Sequence, residues 1–197
     1  MGRLYRSPSA VPLTKEEVTD TLAKFSPSSA PGPDGVPYSV WKKVNALNPT
    51  LPLDLLAPLV TFGYNSTTIK HVYGVVLDKS GKTSYDTPAS FRIIVLIKTV
   101  SKILVRILMV RLTSLARQAS LLRPNQCGFL PGLGISDAVA TLTDEVRTLQ
   151  RPLLKVSTLF LDIKAGFDNV SASKLRSLLL SKNILPYMVD WLSSFLT

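Results

Sequence analysis

The segment Phe160-Leu161-Asp162-Ile163-Lys164-Ala165-Gly166-Phe167-Asp168 sets a carboxylate at the end of an apolar run and an aromatic ring five residues further on. Phosphoryl transfer uses both. A carboxylate at a strand end can ligate magnesium without being neutralised by burial, and the ring can form a wall against which a sugar rests. From pattern alone the plainer account is the stronger one: Asp162 closes a strand and Asp168 caps the following helix. Phosphatase chemistry is excluded, because it wants a second Asp two residues on and Lys164 stands there. With one Cys (Cys127) and one His (His71), neither a disulfide framework nor a Cys/His zinc site can be assembled. A metal would have to be held by carboxylates, which suits Mg2+.

The elements that must position these residues come from 197 residues with 46% apolar content, enough for a buried core. Lys and Arg number 23 against 13 Asp and Glu, leaving a formal charge of +10. That balance favours a polyanionic partner, nucleic acid ahead of an anionic membrane surface. A membrane span is not expected: the most apolar stretch is interrupted by Lys102, Arg106 and Arg111, well short of the roughly 20 residues required. The basic opening has no apolar run behind it, and Arg6 stands where a myristoylation signal wants Ser or Thr. An intracellular protein, nuclear or cytoplasmic and not secreted, is therefore expected.

Residues 1–13 read as a loose tail rich in Pro and Ser. Thr14 and Glu17 form a capping box ahead of Val18, Leu22 and Phe25, which share one helical face. The run Ser-Pro-Ser-Ser-Ala-Pro-Gly-Pro-Asp-Gly-Val-Pro over 26–37 is a loop, since its prolines lack donors and its glycines favour turns. Helices are expected over about 38–47 and 53–65, and a hairpin from runs beginning at Val72 and at Phe91. The next helix, about 99–119, carries Lys102, Arg106, Thr113 and Arg117 on a face expected to be solvated, while its apolar residues nearly encircle it and point to burial. A Pro/Gly loop spans 121–134. Then comes a helix over about 135–150 with Ala138, Leu142, Val146 and Leu149 inward. Ser157 to Asp162 is predicted to be a buried strand, Ser171 to open a helix through Ser181, and Met188, Trp191, Leu192 and Phe195 to share a last helical face. That last stretch has no terminator, so the sequence reads as ending within a fold. Trp41 and Trp191 are expected to be packing residues.

Four separated segments, in order, resemble the reverse transcriptases of non-LTR, LINE-like retrotransposons. They are Ala30-Pro-Gly-Pro-Asp34-Gly35; Val76-Leu-Asp-Lys79-Ser-Gly-Lys82 with Ser90-Phe-Arg92 and the helix after Ser101; Asn125-Gln126-Cys-Gly128-Phe129-Leu-Pro-Gly132; and the Asp162 segment. Together they cover most of residues 14–197. The resemblance implies an α+β fold, the fingers and partial palm of a right-hand polymerase, with helices packed on a small, mainly antiparallel sheet. It divides the chain into the tail (1–13), a helical N-terminal extension (14–66), and fingers with partial palm (67–197). It implies RNA-templated DNA synthesis from dNTPs, with an RNA template and DNA primer as partners and Mg2+ as cofactor.

Carried over by position, Asp162 would hold the catalytic metals with help from the carbonyl of Ile163. Phe167 would be the steric gate against a ribose 2′-hydroxyl. Lys79, Lys82 and Arg92 would meet the triphosphate, although each also serves as ordinary hairpin solubility; Arg92 is the strongest of the three because it sits between apolar residues, where an unpaired charge is costly. Gln126, Gly128, Asp34 and Gly35 would contact template or primer, although simple turns account for them as well.

The departures also bear on function. Leu130, Leu133 and Gly134 replace the Arg and Ser/Thr usual after the Gln-x-Gly-Phe loop, Ile93-Ile94-Val95 replaces Pro-Ile-Ser, and Ala165-Gly166 inverts the usual pair. The second palm motif, Tyr-x-Asp-Asp, does not occur in these 197 residues. Since two-metal catalysis draws carboxylates from both motifs, polymerisation by this chain alone is not expected. A non-catalytic, basic nucleic-acid-binding remnant is the alternative function, and a truncated reading frame without a selected role is a third.

Overall fold

The first helix starts where its capping box predicts. The Glu17 amide donates to Thr14 Oγ1 and the Thr14 amide to Glu17 Oε2, each at 3.2 Å. In the computed structural model, residues 10–150, 155–163, 166, 167 and 169–196 are described. Expectations for the first nine residues of the tail, and for Lys164, Ala165 and Asp168, lie outside the described residues. Two compact units divide the chain: Met1–Val110 with Ser171–Thr197, and Arg111–Val170.

The first unit is mainly helical. α1 (Lys15–Ala23) buries Val18, Thr21 and Leu22, and Phe25 beyond it stacks on Tyr38 with ring centroids 4.1 Å apart. Tyr38 opens α2 (Tyr38–Leu47), as expected. α3 (Thr50–Thr61) begins earlier than the 53–65 expected. Pro52 falls in its first turn, where the missing N–H would have had no intrahelical partner, so it does not block the start. The helix ends sooner because Gly63 takes φ +57 and donates to Val60 O while Tyr64 donates to Leu59 O. This two-bond closure is a Schellman cap. A short α4 (Thr67–Lys70) leads into the hairpin.

β1 (Val72–Asp78) and β2 (Phe91–Ile97) pair antiparallel, with Val72 opposite Ile97 and Asp78 opposite Phe91. Their connection is held by Tyr85 Oη donating to Lys79 O (3.0 Å) and Ser90 Oγ donating to Ser84 O (2.7 Å). The expected packing of helices on this sheet is not what the structure has. Both faces are open: Val76 and Ile93 are 60% and 71% exposed on one, and Tyr73 is 58% exposed on the other. In the first unit the buried faces of α1, α3 and the helix after Ile97 meet other helices rather than the hairpin.

That helical core contains Val18, Leu22, Tyr38, Leu56 and Val60 from the first three helices. It also contains Ile103, Leu104 and Ile107 from α5 (Thr99–Gln118) and Tyr187, Met188, Val189 and Trp191 from α8 (Pro186–Leu196). Burial of α5 in its first half agrees with its apolar girth. Its basic face is less solvated than expected, since Lys102 and Arg106 are half-buried. α7 (Ala172–Ser181) is capped by Ser171, whose Oγ accepts from the Lys174 amide. Asn183, at φ 57, turns the chain into α8, and Arg176 pairs with Asp190 across the two helices at 2.8 Å.

The second unit holds the end of α5, the 119–134 loop, α6 (Ile135–Gln150) and the residues up to Val170. Two expectations fail here. α6 has no buried residue: Leu142 and Val146 are half-buried, while Ala138 and Leu149 are exposed. The run Ser157 to Asp162 is not a strand, and Leu159, Phe160 and Leu161 are 79–85% exposed. A β-rich run becomes a strand only when a neighbour takes its N–H and C=O groups. Among the described residues the only sheet is β1–β2.

Candidate functional site

In the first unit the cations lie toward the far end of the hairpin. Lys79 follows β1 directly, its amide donating to Ser90 O at 2.8 Å, and Lys82 follows Gly81 (φ +79) in the connection. Arg92 stands opposite Leu77 in the register. The reason for singling out Arg92 does not hold, because its side chain is exposed and so are Ile93 and Ile94 beside it. With water available, the guanidinium needs no protein partner.

The Ala30 to Gly35 loop has a structural explanation at its centre. A Cβ on Gly32 would lie 2.6 Å from the carbonyl carbon and oxygen of Ile97 and from Cα of Lys98, so the loop touches the β2–α5 junction backbone to backbone. Thr99 completes the attachment. Its Oγ1 donates to Val36 O and accepts from Trp41 Nε1, both at 2.8 Å. Asp34 Oδ1 accepts from the Val36 amide (3.3 Å), and Gly35, at φ +66, donates to Gly32 O (3.0 Å). Asp34 and Gly35 are exposed at the tip. Sequence reasoning assigned Trp41 to packing and did not find this latch; a Thr at the start of an apolar helix was its only signal.

The remaining predicted residues belong to the second unit. Gln126 Nε2 donates to Gly128 O at 3.4 Å, and Asn125 Nδ2 to Glu145 Oε1 at 3.1 Å, tying the loop to α6. A Cβ on Gly128 would meet nothing within 4 Å. Gly134 has no side chain to cap α6; instead its amide donates to Asp137 Oδ2 at 2.7 Å. The loop reaches the Asp162 segment through aromatic rings. Phe129 meets Phe167 edge-to-face, centroids 5.9 Å apart and planes at 89°. Phe129 had been quoted within its motif without a role.

Asp162 is exposed, as is Ile163. Among the described residues no three His, Cys, Asp or Glu side chains come together to hold a metal ion. Asp162 and the Ile163 carbonyl alone therefore do not fit a two-ion site, and no chemical step can be built through such ions from these residues. No helix among the described residues is long and apolar enough to cross a membrane.

A mixed α and β chain with a basic hairpin, a Gly-Phe loop and an Asp/Phe segment is what the comparison with known families bears on. Residues 77–196, more than half the chain, match the reverse transcriptase (RNA-dependent DNA polymerase) family, and the chain belongs to it. The match begins within β1 and runs to the end of α8. Among individual proteins, the chain is similar to the probable RNA-directed DNA polymerase from transposon X-element of Drosophila melanogaster. The two are 27% identical over 159 residues, 78% of this chain and 17% of that protein. The chain thus spans less than a fifth of that relative's length.

Proposed function

We propose that residues 67–197 are the fingers and partial palm of a right-hand reverse transcriptase of the non-LTR, LINE-like type, with residues 14–66 as a helical N-terminal extension. The reaction of the whole protein is RNA-templated DNA synthesis from dNTPs. The observation that carries this reading is the family match over 77–196, which runs through the hairpin, the Gln126 loop and the Asp162 segment. The transposon polymerase similar to this chain supports it.

In this reading Lys79, Lys82 and Arg92 receive the triphosphate, and the exposure of Lys82 and Arg92 leaves these two open to an anion. Gln126 and Gly128 line the template path, where the open space around Gly128 admits a strand close to the backbone. Asp34 and Gly35 offer a turn to template or primer. Phe167 excludes a 2′-hydroxyl. Asp162, with the Ile163 carbonyl, would be this chain's share of a magnesium site that needs further carboxylates to hold the ions. The 197 residues alone do not polymerise, because a second carboxylate source is missing among them. A protein working on template and primer acts in the nucleus or cytoplasm.

A second reading, a non-catalytic nucleic-acid binder, is favoured by the charge of +10 together with the absence of a three-ligand metal cluster among the described residues. Binding to an RNA/DNA hybrid across a salt series tests both. The expected result is a steep slope of log K against log salt, falling by about 1 in Arg92→Ala or Lys82→Ala if each meets a phosphate. Binding of a magnesium dNTP then separates them, since the first reading expects it, and its loss in Arg92→Ala, whereas the binder has no nucleotide site. No hybrid binding at low salt overturns both readings.

A further inference from the structure

We propose that Phe129 is a positioning residue for Phe167, bracing that ring so that it can discriminate at the 2′ position of a nucleotide sugar. The proposal rests on the reading of Phe167 as the sugar-facing wall. Phe129 has a left-handed backbone, φ 60, which is an outlier for a bulky side chain and must be stabilised by something. Burial does not do it: the ring is 84% exposed. Its neighbours hold the loop in place, with Gln126 donating to Gly128 O and Leu133 donating to Leu130 O. What the unusual backbone achieves is the edge-to-face contact with Phe167.

Among the described residues Phe167 has little else to hold it. It is 81% exposed, in a turn closed by the Val170 amide donating to Phe167 O at 3.2 Å. A wall that rejects one hydroxyl works only if it does not yield, and a ring free to turn about its own side-chain torsions yields. An edge-to-face neighbour restricts that rotation and gives the ring a preferred plane. The two rings come from segments nearly 40 positions apart, so the contact joins the Gly-Phe loop to the nucleotide-facing residue.

The test compares binding of the magnesium complexes of dATP and ATP to the full 197-residue chain, with ring-proton NMR of Phe167 alongside. The unsubstituted chain is expected to prefer dATP. Phe129→Ala should reduce that preference about two- to tenfold, the contribution of one aromatic pair, and shift the Phe167 ring signals. Phe129→Tyr, which keeps the ring, should retain the preference. Circular dichroism should be unchanged in both, since Phe129 is exposed. If Phe167→Ala abolishes the preference while Phe129→Ala leaves both it and the Phe167 signals intact, the bracing role is overturned and the gate stands. If the unsubstituted chain shows no preference, or Phe167→Ala leaves it unchanged, the gate reading is overturned and the bracing role with it.

Discussion

A methyl group added at Gly32 would meet three backbone atoms at 2.6 Å, whereas one added at Gly128 would meet nothing. Gly32→Ala should therefore destabilise the fold by about 1–3 kcal/mol or more, the range for overpacking where only backbone can move. Gly128→Ala should change stability by no more than about 0.5 kcal/mol, yet weaken hybrid binding. Denaturant melts of the two variants, followed by the salt series, check the pair. Tyr38 offers a test by pH. It is buried, its Oη has no hydrogen-bond partner among the described residues, and burial pushes its phenol up to about 12. The unfolded phenol ionises near 10, so stability from this group is complete below pH 10 and is lost as pH rises through 12. Tyr38→Phe should remove that part of the alkaline loss, visible in chemical melts between pH 9 and 12, without lowering stability at neutral pH.

Among the elements, α5 depends most on a single side chain. Thr99 is fully buried and makes two hydrogen bonds, one to the 30–37 loop and one from α2. Thr99→Val keeps the shape and leaves Trp41 Nε1 and the Val36 carbonyl without this partner. About 2–3 kcal/mol should be lost, since each orphaned polar group costs about 1–3 kcal/mol and Trp41 is only half-buried. The midpoint of urea unfolding reads it. The hairpin contrasts with this: its strands are joined only through their ladder and connection, with apolar residues open on both faces. Substitution of Ile93 or Val76 by Thr should accordingly cost little stability, a prediction that the same urea series checks.

For the whole molecule, the family match begins at residue 77, but the core does not respect that boundary. Val18, Leu22, Tyr38, Leu56 and Val60 are buried in the same unit as Ile103, Leu104, Ile107 and the inner face of α8. Removing residues 1–66 would strip away side chains each contributing about 1.5–3 kcal/mol, together comparable with the 5–15 kcal/mol of a whole domain. A chain starting at 67 should lose cooperative thermal unfolding and bind a hydrophobic dye, as calorimetry and fluorescence would show. The helices before residue 66 thus share one core with residues that match the family.

What could be read from the sequence was whatever a few neighbouring residues decide among themselves. The Thr14/Glu17 capping box, the Ser171 cap, the two hairpin runs and the starts of α2 and α6 follow from side chains reaching their own backbone or from local apolar spacing. The family, too, was legible, because its motifs are short and ordered along the chain. Burial was not. Ser157 to Asp162 has the composition of a buried strand and α6 the spacing of a packed helix, but a strand needs a pairing neighbour and an apolar face needs another to cover it, and both come from distant sequence. The same holds for Arg92, exposed despite apolar neighbours, for Gly32, whose need is set by the backbone at Ile97 and Lys98, and for Phe129, whose ring meets Phe167 only once the chain has folded.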